Sequence, residues 1–505
     1  MPWLSILIAV PVLGAVLVAL LPKGKDKLAK QVTLGVSLVV LALTIAMAVP
    51  FSPKGQRFQY VETYDWIPSF GVHFGLGVDG IALVLIALSA VLVPIVVLAS
   101  WHDADAPTAK RSVKTYFSLL LVLEAMMIGV FAATDIFLFY VFFEAMLIPM
   151  YFMIGSYGGA QRSYAAVKFL LYSLFGGLLM LVAVIALYVI ADKGTFMFPE
   201  LIGAIQDPTT QKWLFAGFFF AFAVKAPLWP FHTWLPDAAA QAPAGAAVLL
   251  VGVLDKVGTY GMLRFCLELF PDASKFFTPL VIVLALVGIV YGAIVAIGQT
   301  DMKRLIAYTS ISHFGFIALG VFAMTNDAGA GATLYMVNHG FSTGALFLIA
   351  GFLIARRGSP HIADYGGVQK VTPKLAGMFL IAGLSGLALP GLSSFVSEFM
   401  VMIGTYERYA WPAIIAATGV ILAAIYILWM YQRVANGPTA ESVKGFKDLN
   451  GREMWVVAPL IALIIGLGFY PKPLLDVINP AVDKTLSTVQ VEKFTPAIAE
   501  KGAGQ

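Results

Sequence analysis

The stretch that decides this chain is Ala223–Ala244, AVKAPLWPFHTWLPDAAAQAPA. It opens as the end of an apolar helix carrying Lys225, then meets Pro227 and Pro230 three residues apart. Proline removes a backbone donor and clashes with the preceding turn, so the helix must break here. Broken backbone at membrane depth persists only where protein buries it or where it lines a watery cavity. A lysine at such a break is a candidate functional group.

Working outward, the 505 residues are 60% hydrophobic and only 12% charged, with a mean hydropathy of +0.88. A water-soluble chain could not hide that much apolar surface, whereas a membrane crossing needs roughly 20 apolar residues. Fourteen apolar runs fall near 2–21, 30–50, 77–100, 112–132, 134–155, 163–191, 212–238, 242–267, 276–297, 303–324, 330–355, 374–406, 410–433 and 454–470. The expected fold is therefore an all-α polytopic membrane protein, with a single transmembrane domain over 1–470 and an extramembrane tail over 471–505. Runs four and five are separated by almost nothing. The first run has no basic residue before it and reads as a retained helix rather than a cleaved leader.

Lysine and arginine in the links set the orientation. Odd-numbered links hold eighteen, among them Lys23, Lys110, Arg111, Arg356 and Arg357, against six in the even-numbered links. This places the odd links in the cytoplasm and both termini outside, in a bacterial-type cell membrane.

A second proline-and-glycine break lies in run twelve, at LALPGLSSF, Leu387–Phe395. Paired interruptions in corresponding halves mark inverted-repeat transporters. Runs four to eight (about 112–267) then match runs nine to thirteen (about 276–433), and an odd repeat length inverts the second copy.

Much is excluded. The net charge of +4 is small and dispersed, which gives no reason for a nucleic-acid partner. The one cysteine, Cys266, rules out a disulfide framework or a multi-cysteine iron–sulfur site within the chain. There is no Walker A loop and no metal-ligand cluster, and GLGVDG at Gly75–Gly80 opens a membrane span. Any energy source or cofactor lies outside this chain.

Charged groups at membrane depth cost roughly 2.5–3.5 kcal/mol each on insertion scales and usually face a bundle interior. Here Glu124, Glu144, Lys168, Lys225, Lys256, His313, His339 and Glu398 occupy spans four to eight and ten to twelve. Taken singly, each has a bland reading. Glu124 can be a packing group, Lys168 can pair with an acid or reach the inner surface, and His313 or His339 can be a satisfied core histidine. Arg264 reads as a snorkelling anchor near a helix end. Asp255 and Lys256 are adjacent, point about 100° apart and are not a ready-made pair. The set is harder to explain as packing. Burial lowers a lysine pKa and raises that of a glutamate, while an opposite charge pulls both back. Histidine titrates near neutrality and can relay. Interleaved acids and bases of this kind suit protons.

Several motifs resemble the antiporter-like membrane subunits of proton-pumping NADH:quinone oxidoreductase, complex I. They are DIFLFYVFFEAMLIPMYFMIGSYG (Asp135–Gly158), SYAAVKFLLYSLFGG (Ser163–Gly177), VKAPLWPFHTWLPDA (Val224–Ala238), LDKVGTYGMLRF (Leu254–Phe265), RLIAYTSISHFGF (Arg304–Phe316) and YMVNHGFSTGALFLIAG (Tyr335–Gly351). Glu398, where other branches and most antiporter relatives carry lysine, points to the M-type branch. So does the short chain after span fourteen. The resemblance implies a fourteen-helix inverted-repeat fold and proton translocation. It implies Glu144 and Lys225 as a modulating ion pair, Lys256 as central carrier, His313 and His339 as relays and Glu398 facing the outer exit. Glu124, Lys168 and Asp135 are secondary candidates. It also implies FMN, iron–sulfur clusters and quinone in partner subunits, with neighbouring antiporter-like chains and a peripheral redox arm as partners. Multisubunit cation/proton antiporters are cousins and supply the alternative reading. Two departures stand out: Ala239 where the family usually has His, and Asp255 where an apolar residue is usual.

Overall fold

The computed structural model describes residues 1–105 and 107–489. Helices α1 (Trp3–Leu20) and α2 (Asp26–Ala48) come first. An antiparallel hairpin, β1 (Gln59–Ile67) with β2 (Val72–Val78), leads into α3 (Gly80–Ala99). Next come α4 (Val113–Ala132), α5 (Ile136–Ala145), α6 (Leu147–Tyr157), α7 (Arg162–Ala191), α8 (Pro208–Lys225), α9 (Trp234–Gln241) and α10 (Ala244–Leu269). The second half holds α11 (Pro271–Ile297), α12 (Met302–Ala323), α13 (Asn326–Arg357), α14 (Pro373–Gly386), α15 (Ser393–Arg408) and α16 (Ala410–Ala435). α17 (Gly451–Phe469) and α18 (Lys472–Val489) close the described chain. Among the described residues, twelve helices are long and apolar enough to cross a membrane, α5 and α6 together forming one. The two expected crossings that are broken, α8–α9 and α14–α15, complete the fourteen-run reading.

Helix starts follow from capping chemistry. Asp79, Ser112, Asp135, Asp301, Thr325 and Asn450 each accept a backbone N–H three residues on, satisfying one of the donors that a helix start leaves free. Asp135 thereby separates α4 from α5, and the two crossings remain distinct.

The halves share two local patterns. Before α5, Ile136 N donates to Phe196 O (2.9 Å) and Phe198 N to Thr134 O (2.8 Å); before α12, Met302 N donates to Pro360 O (3.0 Å) and Ile362 N to Thr300 O (2.8 Å). At the first break Leu228 N reaches back to Ala223 O (2.9 Å), and at the second Leu389 N reaches Leu384 O (3.0 Å). Five crossings, an odd number, separate each pattern from its copy, so the chain runs in the reverse direction at the second.

α10, α12, α13 and α3 form the centre, with 83% or more of their apolar windows buried. α7 lies at the edge. Its Val167, Leu171, Phe175, Leu178, Val182, Ile185 and Val189 make one exposed stripe at helical spacing, as a lipid-facing helix requires.

Two parts of the structure differ from the sequence reading. The hairpin falls in a link read only as polar; its Leu76 and Val78 are buried against helix ends. Arg264 does not snorkel, being only 3% exposed. Its Nη2 lies 2.6 Å from Asp79 Oδ2 and its Nη1 3.6 Å from Glu268 Oε1. Glu268 also pairs with Arg57 and accepts from Thr485 Oγ1 of α18 at 2.8 Å. The reason is tertiary: α18, read as part of the tail, packs on α3, α10 and α13 and covers that helix end. The rest of the tail, 490–505, lies outside the described residues.

Candidate functional site

Glu144 lies one residue before the end of α5 and faces α7 at Gly177. A Cβ on Gly177 would come within 1.6 Å of Glu144 Oε1, so only glycine leaves that seat open. Lys225 is the last residue of α8, where the helix stops one residue short of Pro227. It is 1% exposed, and its Nζ lies 4.5 Å from the ring centre of Phe143, the neighbour of Glu144. Neither Lys225 Nζ nor Glu144 Oε1 has a hydrogen-bond partner. Glu144 and Asp255 are the carboxylates whose charge acts on Lys225.

Lys256 owes its position to a local irregularity. Leu250–Leu254 form a π turn, which carries the Asp255 N–H back to Leu250 O (3.2 Å) rather than to Val251 O. The Val251 carbonyl is left for a side chain, and Lys256 Nζ takes it at 2.5 Å. Such π turns recur at functional sites. The same Nζ lies 2.6 Å from His339 Nδ1 on α13. Lys256 is fully buried, with the Phe314 ring 4.9 Å away.

The series continues through the second half. His339 and His313 meet edge to face at 5.2 Å between ring centres. His339 Nε2 and His313 Nδ1 are both buried without a partner, while His313 Nε2 lies 3.1 Å from Gly386 O. Gly386 ends α14 at the second break, and a helix end has carbonyls to spare. Tyr335, one turn before His339 on α13, lies 5.8 Å from His313 ring to ring and donates its hydroxyl to Glu398 Oε2 at 3.4 Å. Glu398 is 4% exposed on α15. Lys256, His339, His313, Tyr335 and Glu398 thus form one buried polar series. Sequence reasoning missed Tyr335 and the Gly386 carbonyl. The i, i+4 spacing of Tyr335 and His339 was the available clue.

Other candidates fall elsewhere. Lys168 pairs with Asp237 Oδ2 on α9 at 2.7 Å, and Arg304 holds the other oxygen at 2.6 Å. It belongs to this separate cluster, whose Asp237 the sequence reading did not single out. Asp135 caps α5 and also accepts His73 N at 2.9 Å, a structural assignment. Glu124 on α4 is fully buried with both oxygens unpartnered and makes no hydrogen bond to the series. Ala239 is buried and apolar.

The family described as NADH:quinone oxidoreductase/Mrp antiporter, TM matches residues 133–425. The NADH-quinone oxidoreductase subunit M of Mycobacterium tuberculosis (strain ATCC 25618 / H37Rv) is 55% identical, over 99% of this chain and 96% of its own length. A chain of respiratory complex I from Thermus thermophilus with bound NADH is similar at a TM-score of 0.89 and 31% identity, covering 97% of this chain and 100% of that one. A chain of the Mrp complex from Dietzia sp. DQ12-45-1b gives 0.83 at 21% identity, covering 97% and 100%; that likeness concerns the fold.

Proposed function

Because the chain belongs to the NADH:quinone oxidoreductase/Mrp antiporter membrane family, we propose that it is a proton-translocating membrane subunit of a respiratory NADH:quinone oxidoreductase, on the M-type branch. It carries no redox centre; FMN, iron–sulfur clusters and quinone belong to partner subunits, and neighbouring antiporter-like chains connect it to the redox arm. It sits in a bacterial cell membrane with both termini outside. Repeats of about 112–267 and 276–433 supply the two half-paths, with residues 471–505 outside the membrane.

One observation carries the reading: a buried polar series begins at Lys256 and ends at Glu398, beyond the second break. Electron transfer elsewhere shifts the Glu144–Lys225 pair, which resets the field at Lys256. The Lys256 ammonium passes a proton to His339 Nδ1. His339 releases its Nε2 proton toward His313 Nδ1, both of them buried nitrogens without a hydrogen-bond partner among the described residues. His313 gives its Nε2 proton onward to the Glu398 carboxylate, beside the Tyr335 hydroxyl. Neutral imidazole, with one donor and one acceptor nitrogen, is suited to this exchange. The cation/proton antiporter reading shares the family description and the fold, whereas the 55% identity over 99% of the chain is to an oxidoreductase subunit.

The test is the assembled complex in liposomes, with protons moved per NADH oxidised measured for Lys225→Ala. A reduced ratio with assembly intact is expected. An unchanged ratio would falsify the assignment of Lys225.

A further inference from the structure

Asp255 is fully buried, and neither carboxylate oxygen has a hydrogen-bond partner among the described residues. A buried acid without partners carries a large desolvation cost that packing does not explain. Its place in the fold suggests what it does. Gly258, three residues on, lies against the end of α8; a Cβ there would come within 2.6 Å of Ala226 N and Phe222 O. Asp255, three residues earlier, therefore lies on the part of α10 that meets the end of α8, whose last residue is Lys225. Its electrostatic partners are Lys256 and Lys225. Lys256 itself reaches His339 on α13. Two adjacent residues, about 100° apart around α10, thus serve different neighbours, Lys225 in the first half and His339 in the second.

We propose that Asp255 is a proton relay between Lys225 and Lys256, carrying the path through α10. This rests on the proton-translocation reading above. The Lys225 ammonium gives its proton to the Asp255 carboxylate, leaving a neutral amine and a neutral acid. The Asp255 O–H bond then breaks in favour of neutral Lys256, restoring the carboxylate and forming the ammonium that faces His339. Charge is conserved at each transfer, and no oxidant or further reactant is required. The side-by-side placement that prevents a direct ion pair is what lets one acid serve two lysines on different faces.

The experiment compares Asp255→Asn, Asp255→Glu and Lys225→Ala in the purified complex reconstituted into liposomes. Assembly is followed by NADH:quinone reductase activity, and pumping by protons moved per NADH. Asp255→Asn is expected to lower that ratio to the level of Lys225→Ala, and Asp255→Glu to restore it. Pumping by Asp255→Asn at the unmodified ratio, with Lys225→Ala impaired, overturns the relay alone. If Lys225→Ala also pumps normally, the underlying path reading fails. A static counter-ion would never hold the proton, so infrared difference spectra of the unmodified and Asp255→Glu complexes on NADH addition give a second readout. The relay requires a carboxylic acid band that appears in turnover and moves in Asp255→Glu; its absence overturns the proposal even where Asp255→Asn does not assemble.

Discussion

Lys256 Nζ and His339 Nδ1 lie 2.6 Å apart, joining residues 83 positions apart in the chain. Lys256 comes from the last crossing of the first half and His339 from the third crossing of the second. The contact therefore joins the two halves of the bundle. Among the described residues, the one other hydrogen bond of the Lys256 ammonium is to the Val251 carbonyl freed by the π turn.

His339→Ala is expected to stop pumping and to destabilise the subunit by about 1.5–3 kcal/mol, the worth of a charge-assisted hydrogen bond. His339→Gln keeps an acceptor for the ammonium but cannot take a proton on one atom and release it from another. It should unfold near the unmodified temperature and still fail to pump. Thermal unfolding in detergent alongside proton counting separates the two effects, and a Gln variant that pumps normally removes His339 from the path.

Gly177→Ala tests the seat of Glu144. The added methyl occupies the position of the Glu144 Oε1 atom, and the carboxylate, at the end of a flexible side chain, has to swing away from α7. The expected result is a folded, assembled complex with fewer protons moved per NADH. Unchanged pumping would mean that the seat against α7 is not the working position of Glu144.

Arg264→Met removes the cation from a buried cluster and leaves Asp79 and Glu268 without it. Breaking one side of a buried ion pair costs about 3–5 kcal/mol. The loss should show as a lower unfolding temperature, partly regained on adding Asp79→Asn. A surface anchor would lose far less, so a change under about 1 kcal/mol, the usual range for exposed pairs, refutes the buried-cluster description.

Asp448, in the link before α17, accepts the N–H groups of Lys374 (2.9 Å), Leu375 (3.0 Å) and Leu449 (2.8 Å). Partial burial raises its pKa, but these bonds outweigh that and hold the carboxyl below the usual aspartate range. A pKa depressed on folding means stability that is present above the unfolded value and lost as pH falls through the folded one. The gap in unfolding temperature between the unmodified chain and Asp448→Ala should be full at neutral pH and close below about pH 4, near the ordinary aspartate value. A gap that persists there would show that Asp448 acts through something other than its charge.

Read from the sequence alone, the membrane class, the helix runs and both breaks were legible. Apolar run length and proline act locally, and a polytopic helix bundle obeys such local rules closely. Most of the ionisable set was legible too, because a charge in an apolar run stands out whatever surrounds it. Partnership was not. That Lys168 answers to Asp237, that Arg264 is buried under α18, and that Tyr335 stands beside His313 depends on which helix faces meet. No local rule sets that. The π turn beside Lys256 and the contact of Lys256 with His339 likewise arise only in the packed bundle, where α13 closes on α10. Which residues carry charge into the membrane is a property of the chain; which of them can exchange a proton is a matter of a few ångströms, and only packing decides it.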